Sequence, residues 1–189
     1  MTVRDPESKK RQLLDAALAE FAERGLAGAR IGSLAERAQC SAGLVYTYFH
    51  SKEGLFDAVL DEITRATVDQ IPITPDDLPG YAVMLYDATT ARPEVERFVS
   101  WYQLQRTPRD DAGGPMTEAM REKVTVVRDA QEAGTLPSRL DAAALVLAVQ
   151  SIARMWFTQP KESLDAIEPT GDHGARREAI RSVVSALVG

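Results

Sequence analysis

Between residues 30 and 56 the chain gathers side chains suited to one kind of chemistry, hydrogen bonding to phosphate oxygens and base edges. Ser41, Ala42 and Gly43 are consecutive small residues, followed closely by Tyr46, Thr47, Tyr48, His50 and Lys52. Small residues let a backbone approach bases and phosphates, and hydroxyl and imidazole groups donate to phosphate oxygens. A lysine at a helix start sets its charge beside free N–H groups that already favour an anion. Arg30, Gly32 and Ser33, just upstream, complete this candidate DNA-contacting set. Nothing comparable points to catalysis. No Gly-rich phosphate loop, Gly-x-Ser-x-Gly elbow or His-Glu-x-x-His is present. The acidic pairs Asp76–Asp77 and Asp110–Asp111 sit in Pro- and Gly-rich stretches, where turn and capping roles account for them. The lone Cys40 excludes an intrachain disulfide, and with His50 and His173 it leaves no material for a metal centre. No catalytic residue, metal or cofactor is expected.

These residues need helices to present them. Proline is absent from residues 7 to 71 and recurs from Pro72 onward, which predicts long helices first and shorter, punctuated ones later. Leu14, Ala17, Leu18 and Phe21 form the stripe of an amphipathic helix from about Ser8, its expected N-cap, to Arg24, with Gly25 as its stop. Phe56, Val59, Leu60 and Ile63 repeat that stripe over about residues 51–70. Between them, Ile31, Leu34, Ala35 and Ala38 make a short helix, Gln39–Cys40 a turn, and Ser41 the N-cap of a second short helix with Leu44, Val45 and Phe49 inward. That is a helix-turn-helix, whose second helix enters the DNA major groove. Further helices are expected near 76–90, 93–106, 115–133, 139–158 and 173–187, with loops at Thr107–Pro115 and Pro160–Gly174. The fold class is all-α, about nine helices, with a three-helix DNA-binding domain ahead of a larger helical bundle.

With these elements in place, the sequence resembles the TetR family of transcriptional regulators. The match runs through Phe21 to Gly25, Leu34-Ala35-Glu36-Arg37-Ala38, Ser41, and Gly43-Leu44-Val45-Tyr46-Thr47-Tyr48-Phe49-His50-Ser51-Lys52-Glu53-Gly54-Leu55-Phe56, covering about residues 8–60. Three positions depart from the family pattern. Gln39 replaces the turn glycine and Cys40 the usual valine, while Arg30 stands where a Ser or Thr N-cap is common. A non-Gly residue at positive φ is strained, so the turn geometry is the point to examine. The resemblance implies a DNA-binding domain over 1–52, a linking helix over about 51–70, and an effector-binding and dimerisation domain over 71–189. It further implies partners: a double-stranded DNA operator, a second copy of the chain, and a small-molecule effector.

The chain's 189 residues carry a formal charge of −6, which taken whole argues against nucleic acid. The figure averages two parts, a net +2 over residues 1–52 and −8 over 53–189. Lys9, Lys10 and Arg11 are either a solvated helix end or backbone contacts to DNA. The charged opening lacks the apolar stretch of a signal peptide, and the longest apolar run, Ala142 to Val149, is far short of a bilayer span; a cytoplasmic chain without membrane attachment is expected.

In the C-terminal part, two helices carry apolar residues over much of their surface. Leu145, Val149, Ile152 and Trp156 on one, with Ile180, Val183, Val184 and Leu187 on the other, are the dimerisation candidates. Tyr81, Met84, Phe98, Trp101, Tyr102, Met120, Val124, Gln150 and Met155 are the candidates for the effector pocket that the resemblance implies, although such a stripe is more often ordinary core. The reading is a homodimeric repressor that binds a palindromic operator and is released by an effector. Its alternative is a dimeric helical small-molecule-binding protein without operator-specific DNA binding.

Overall fold

A computed structural model describes residues 6–105, 114–168 and 170–189, and the acidic pair Asp110–Asp111 lies outside them. The described residues form ten α-helices: α1 Pro6–Gly28, α2 Ile31–Arg37, α3 Ala42–Phe49, α4 Lys52–Gln70, α5 Leu78–Ala91, α6 Pro93–Gln105, α7 Pro115–Glu132, α8 Ala142–Arg154, α9 Lys161–Ile167 and α10 His173–Val188. A 3₁₀ turn, Pro75–Asp77, precedes α5. No strand occurs among these residues, so the all-α class holds. The chain divides into two compact units, Met1–Ala66 with Arg92–Met116 and Thr67–Ala91 with Thr117–Gly189.

The first unit closes on an aromatic cluster. Phe21 of α1, Phe56 of α4 and Phe98 of α6 are fully buried. The Phe21 and Phe56 rings meet edge-on at 4.8 Å, and Phe56 and Phe98 at 4.9 Å. Tyr102 stacks on Phe56 at 5.3 Å and donates its hydroxyl to Asp57 Oδ1 at 3.2 Å, a buried carboxylate on α4. Leu13, Leu34, Val45 and Leu55 fill the space around the rings. Proline is well placed in the first turn of a helix, where its missing N–H costs nothing, and α1 accordingly starts at Pro6, ahead of the expected cap Ser8.

Gly25 does more than stop α1. Its φ of 64° breaks the helix, and a short further turn runs to Gly28. The break frees the Leu26 N–H, which the Gln105 side chain of α6 accepts at 2.6 Å. A Cβ at Gly25 would stand 2.5 Å from Gln105 Oε1 and 2.9 Å from the Trp101 ring, so both backbone conformation and space demand glycine.

In the second unit, α5 packs on α8 and α10, and α8 on α10. Its core holds Leu78, Tyr81, Tyr86, Val127, Leu145, Val149, Ile180 and Val184. Aspartates start two of its helices: Asp141 accepts the Ala143 and Ala144 N–H groups, and Asp172 those of Gly174 and Ala175. Asp77 likewise accepts the Gly80 N–H at 2.8 Å, the capping role expected for that acidic pair. The helix α9 lies inside the stretch expected to be loop. It buries no residue, and Ile167 is exposed, so it has no apolar stripe by which periodicity could reveal it. Behind it, Glu168 accepts from Thr170 and from Arg176, and these bonds hold its carboxyl down at about 2. Arg176 lies 5.1 Å from the Trp156 ring centroid, and the Tyr86 hydroxyl is 2.6 Å from His173 Nδ1.

Gly25→Ala is expected to lower stability by about 1–3 kcal/mol, the usual cost of forcing a side chain into a sparsely populated backbone region. A reduced urea midpoint at unchanged m-value would show it.

Candidate nucleic-acid interface

The apolar pattern of α3 decides which side chains it offers outward. Val45 and Phe49 are buried in the first unit's core, and Tyr48 is half-buried against it. On the opposite face Ser41, Ala42, Gly43, Tyr46, Thr47 and His50 are exposed, Tyr46 to 49%. Positions 42, 43, 46 and 47 follow helical spacing, so four of the DNA-contacting candidates lie along one outward stripe of α3, with His50 just past its end. Leu44, expected inward, is only half-buried and stays outside the core cluster, because it lies between the buried stripe and the exposed one.

Both ends of α3 are fixed locally. Ser41 Oγ accepts the Leu44 N–H at 3.3 Å, the N-cap that the sequence indicates. Thr47 donates its hydroxyl to the Gly43 carbonyl at 3.0 Å. At the other end His50 adopts φ 64°, returning its N–H to the Tyr46 carbonyl. Ser51 then caps α4 by accepting the Gly54 N–H at 2.9 Å. A Cβ at Gly54 would collide with the Phe49 carbonyl oxygen, so this glycine permits the tight α3–α4 junction. The junction sets Lys52 in the first turn of α4, half-buried, with Nζ 3.4 Å from the Ala29 carbonyl.

The first short helix is held by charge. Glu20 of α1 is 1% exposed, and its Oε1 accepts the Arg30 N–H at 3.1 Å. Arg24 approaches the same oxygen at 3.3 Å, and Arg37, on the last turn of α2, lies 3.9 Å from Oε2 and 3.6 Å from Glu23. Arg30 is extended and exposed, and α2 begins regularly after it without a side-chain cap. Gly32 is exposed and Ser33 half-buried. Sequence reasoning passed over Glu20 and its partners; the Glu20–Arg24 spacing along α1 was the available signal.

The remaining candidates are dispersed. Phe98 belongs to the core of the first unit, with Trp101 and Tyr102 packed partly buried against it, whereas Tyr81 belongs to the core of the second, with Met120, Val124 and Met155 packed partly buried against it. Gln150 is half-buried on α8 and Met84 exposed on α5. Among the described residues, the second unit also holds a cavity of about 110 Å³ lined by Val68, Ile71, Pro72, Ile73, Ala119, Glu122, Lys123 and Val126, none of them a candidate. The Tyr81 hydroxyl and Trp156 Nε1 are buried without a hydrogen-bond partner. Of the dimerisation set, Leu145, Val149, Ile180 and Val184 are buried in the unit's own core, Ile152, Trp156 and Leu187 are half-buried, and Val183 is 44% exposed. Leu147 of α8, 55% exposed, faces outward and was not foreseen.

Residues 13–59 match the family described as bacterial regulatory proteins, tetR family, and residues 77–185 match the tetracyclin repressor-like C-terminal domain. The HTH-type transcriptional repressor SCO4008 of Streptomyces coelicolor is 31% identical over all of this chain and 99% of its own length. The chain belongs to the TetR family. A TetR-family chain is a DNA-binding transcriptional regulator, and this is a family of regulators, not of enzymes. The HTH-type transcriptional regulator BetI of Paraburkholderia phytofirmans is 42% identical over 59 residues, 31% of this chain and 30% of that one. The putative transcriptional regulator SCO4942 from Streptomyces coelicolor has the same fold, with a TM-score of 0.84 at 33% identity over 96% of this chain and 98% of its own. The regulator FadR from Bacillus subtilis, solved in complex with stearoyl-CoA, shares the TetR fold at 13% identity, with a TM-score of 0.68 over 93% of this chain and 97% of that one. No helix among the described residues is long and apolar enough to cross a membrane.

Outward position on α3 separates two kinds of variant. Tyr46→Phe and Lys52→Met should weaken binding to all duplexes by a similar factor, whereas Ala42→Ser or Thr47→Ala should change the preferred sequence. Titration of a panel of duplexes against each variant distinguishes a uniform from a sequence-dependent loss.

Proposed function

We propose that the protein is a homodimeric repressor that acts in the cytoplasm, binds a palindromic operator through the outward face of α3, and is released by a small-molecule effector. The observation that carries this reading is the exposed stripe of Ala42, Gly43, Tyr46 and Thr47 on a helix anchored by Val45 and Phe49, with the exposed His50 directly after it. Ser41, Lys52 and Arg30 at its margins supply donors for flanking phosphates, and Gly32, Ser33 and Tyr48 complete the contact set. Likeness along the full chain to a transcriptional repressor supports the same direction.

Dimerisation is proposed through α8 and α10. Their packing against each other leaves Leu147 and Val183 exposed, with Ile152, Trp156 and Leu187 half-buried. A second copy would cover that apolar surface and set two recognition helices about 34–36 Å apart, one DNA turn. The effector is proposed to bind in the second unit, where a small cavity and the unpartnered Tyr81 hydroxyl lie. Release is a population shift: an effector that binds better to the subunit arrangement with misplaced recognition helices draws the dimer into it. Coupling of about 1–3 kcal/mol changes operator affinity about 5- to 150-fold.

Selection from random duplex DNA by the full chain should enrich a two-fold symmetric sequence; enrichment of none, at low and moderate salt, would refute the operator reading. Leu147→Glu with Val183→Glu should yield monomers in sedimentation velocity and weaken binding to the selected duplex by about 10²–10⁴-fold, the avidity of paired half-sites.

A further inference from the structure

The turn between α2 and α3 is built as though its second residue, Gln39, were glycine. The Gln39 N–H bonds to the Glu36 carbonyl at 3.0 Å and the Cys40 N–H to the Ala35 carbonyl at 2.9 Å, the paired bonds of a Schellman C-cap. In that motif the residue after the cap is left-handed, and glycine is favoured there because it has no Cβ. Here Gln39 occupies it with φ 49°. The motif uses N–H groups and leaves carbonyls of the turn pointing away from the helix. Two of them are met by one side chain from far upstream. Lys9 Nζ on the first turns of α1 donates to the Ala38 carbonyl at 2.7 Å and to the Gln39 carbonyl at 3.2 Å, with Gln12 Oε1 3.3 Å away.

A cation hydrogen-bonded to carbonyls at a helix C-terminus is favoured by the local dipole as well as by the bonds themselves. The contact joins α1 to the residues on both sides of the strained position, immediately before the Ser41 cap of α3. We propose that Lys9 is a positioning residue for DNA binding: its ammonium clamps the left-handed turn that Gln39 cannot hold as easily as glycine, and so fixes the entry of the recognition helix. In this role it touches no phosphate. The basic cluster at the start of α1 is thereby split in function, with Lys9 turned to its own chain.

The test uses the full chain and a duplex recovered by the wild type from a random library. Lys9→Met should lower affinity about tenfold, the scale of one charge-assisted hydrogen bond. The slope of log affinity against log salt should stay unchanged, and amide exchange at Gln39 and Cys40 should quicken. Lys9→Arg should retain affinity, and Gln39→Gly in the Lys9→Met background should restore it by relieving the backbone. The proposal is overturned if the salt slope falls by about 0.9 for each lost contact while turn exchange is unchanged, since Lys9 is then a phosphate ligand. Unchanged affinity, or no rescue by Gln39→Gly, overturns it as well. Should Lys9→Met fail to fold, the double variant with Gln39→Gly must fold and bind for the proposal to stand. Amide exchange at the turn is read without DNA, so it reports on the clamp even where no operator is recovered.

Discussion

The contact of Phe98 with both Phe56 and Phe21 is made across a long stretch of chain, and the DNA-reading unit depends on it. Helices α1 to α4 alone amount to a small core, and small cores are marginal because too little apolar surface leaves water. Phe98 and Tyr102 from α6 add two large rings to the pair already present. The same helix supplies Gln105 to the N–H released at Gly25 and lays Trp101 over that glycine. Apolar burial and backbone satisfaction therefore converge on one helix, and α1 has its break where α6 can accommodate it.

On that base the recognition helix is oriented by polar joints rather than by more core. Glu20, buried in α1, receives the backbone of Arg30 and the guanidinium of Arg24, with Arg37 nearby. A buried carboxylate is tolerated only where donors surround it, and removing them would leave a charge without compensation. At the next junction Ser41, Ser51 and Gly54 define where α3 begins and where α4 takes over. Ser41 apart, the outer face of α3 can then carry almost any residue suited to a base sequence, because these joints use none of the side chains at positions 42, 43, 46 and 47.

Much of this was legible in the residues. The helix-turn-helix could be read because its signals are local: Ser41 caps, small residues follow, and Val45 and Phe49 recur at helical spacing. The tyrosines and Lys52 could be placed from the same register. Leu44 was misjudged because hydrophobicity marks a residue for burial without saying on which side of the helix axis it falls. The aromatic residues of α6 were legible as apolar and not as members of the N-terminal core, since one-dimensional order assigns them to the later chain and only tertiary packing returns them. The helix α9 escaped for the opposite reason: it buries nothing, and periodicity reports burial. The net charge misled until it was divided at residue 52, because an average over an acidic body hides a basic reading head.

The chain passes between its two units at 66–67, 91–92 and 116–117. This has a consequence for how such regulators can be recombined. A single crossover near residue 60 would exchange the helix-turn-helix of one protein for that of another, yet leave behind the α6 that completes its core. The incoming Phe21, Gly25 and Phe56 would meet a Phe98, Trp101 and Gln105 selected beside different neighbours. A hybrid with a new DNA preference and an intact interior therefore has to inherit two separated segments together, because the first unit is a discontinuous piece of chain that no single cut can move.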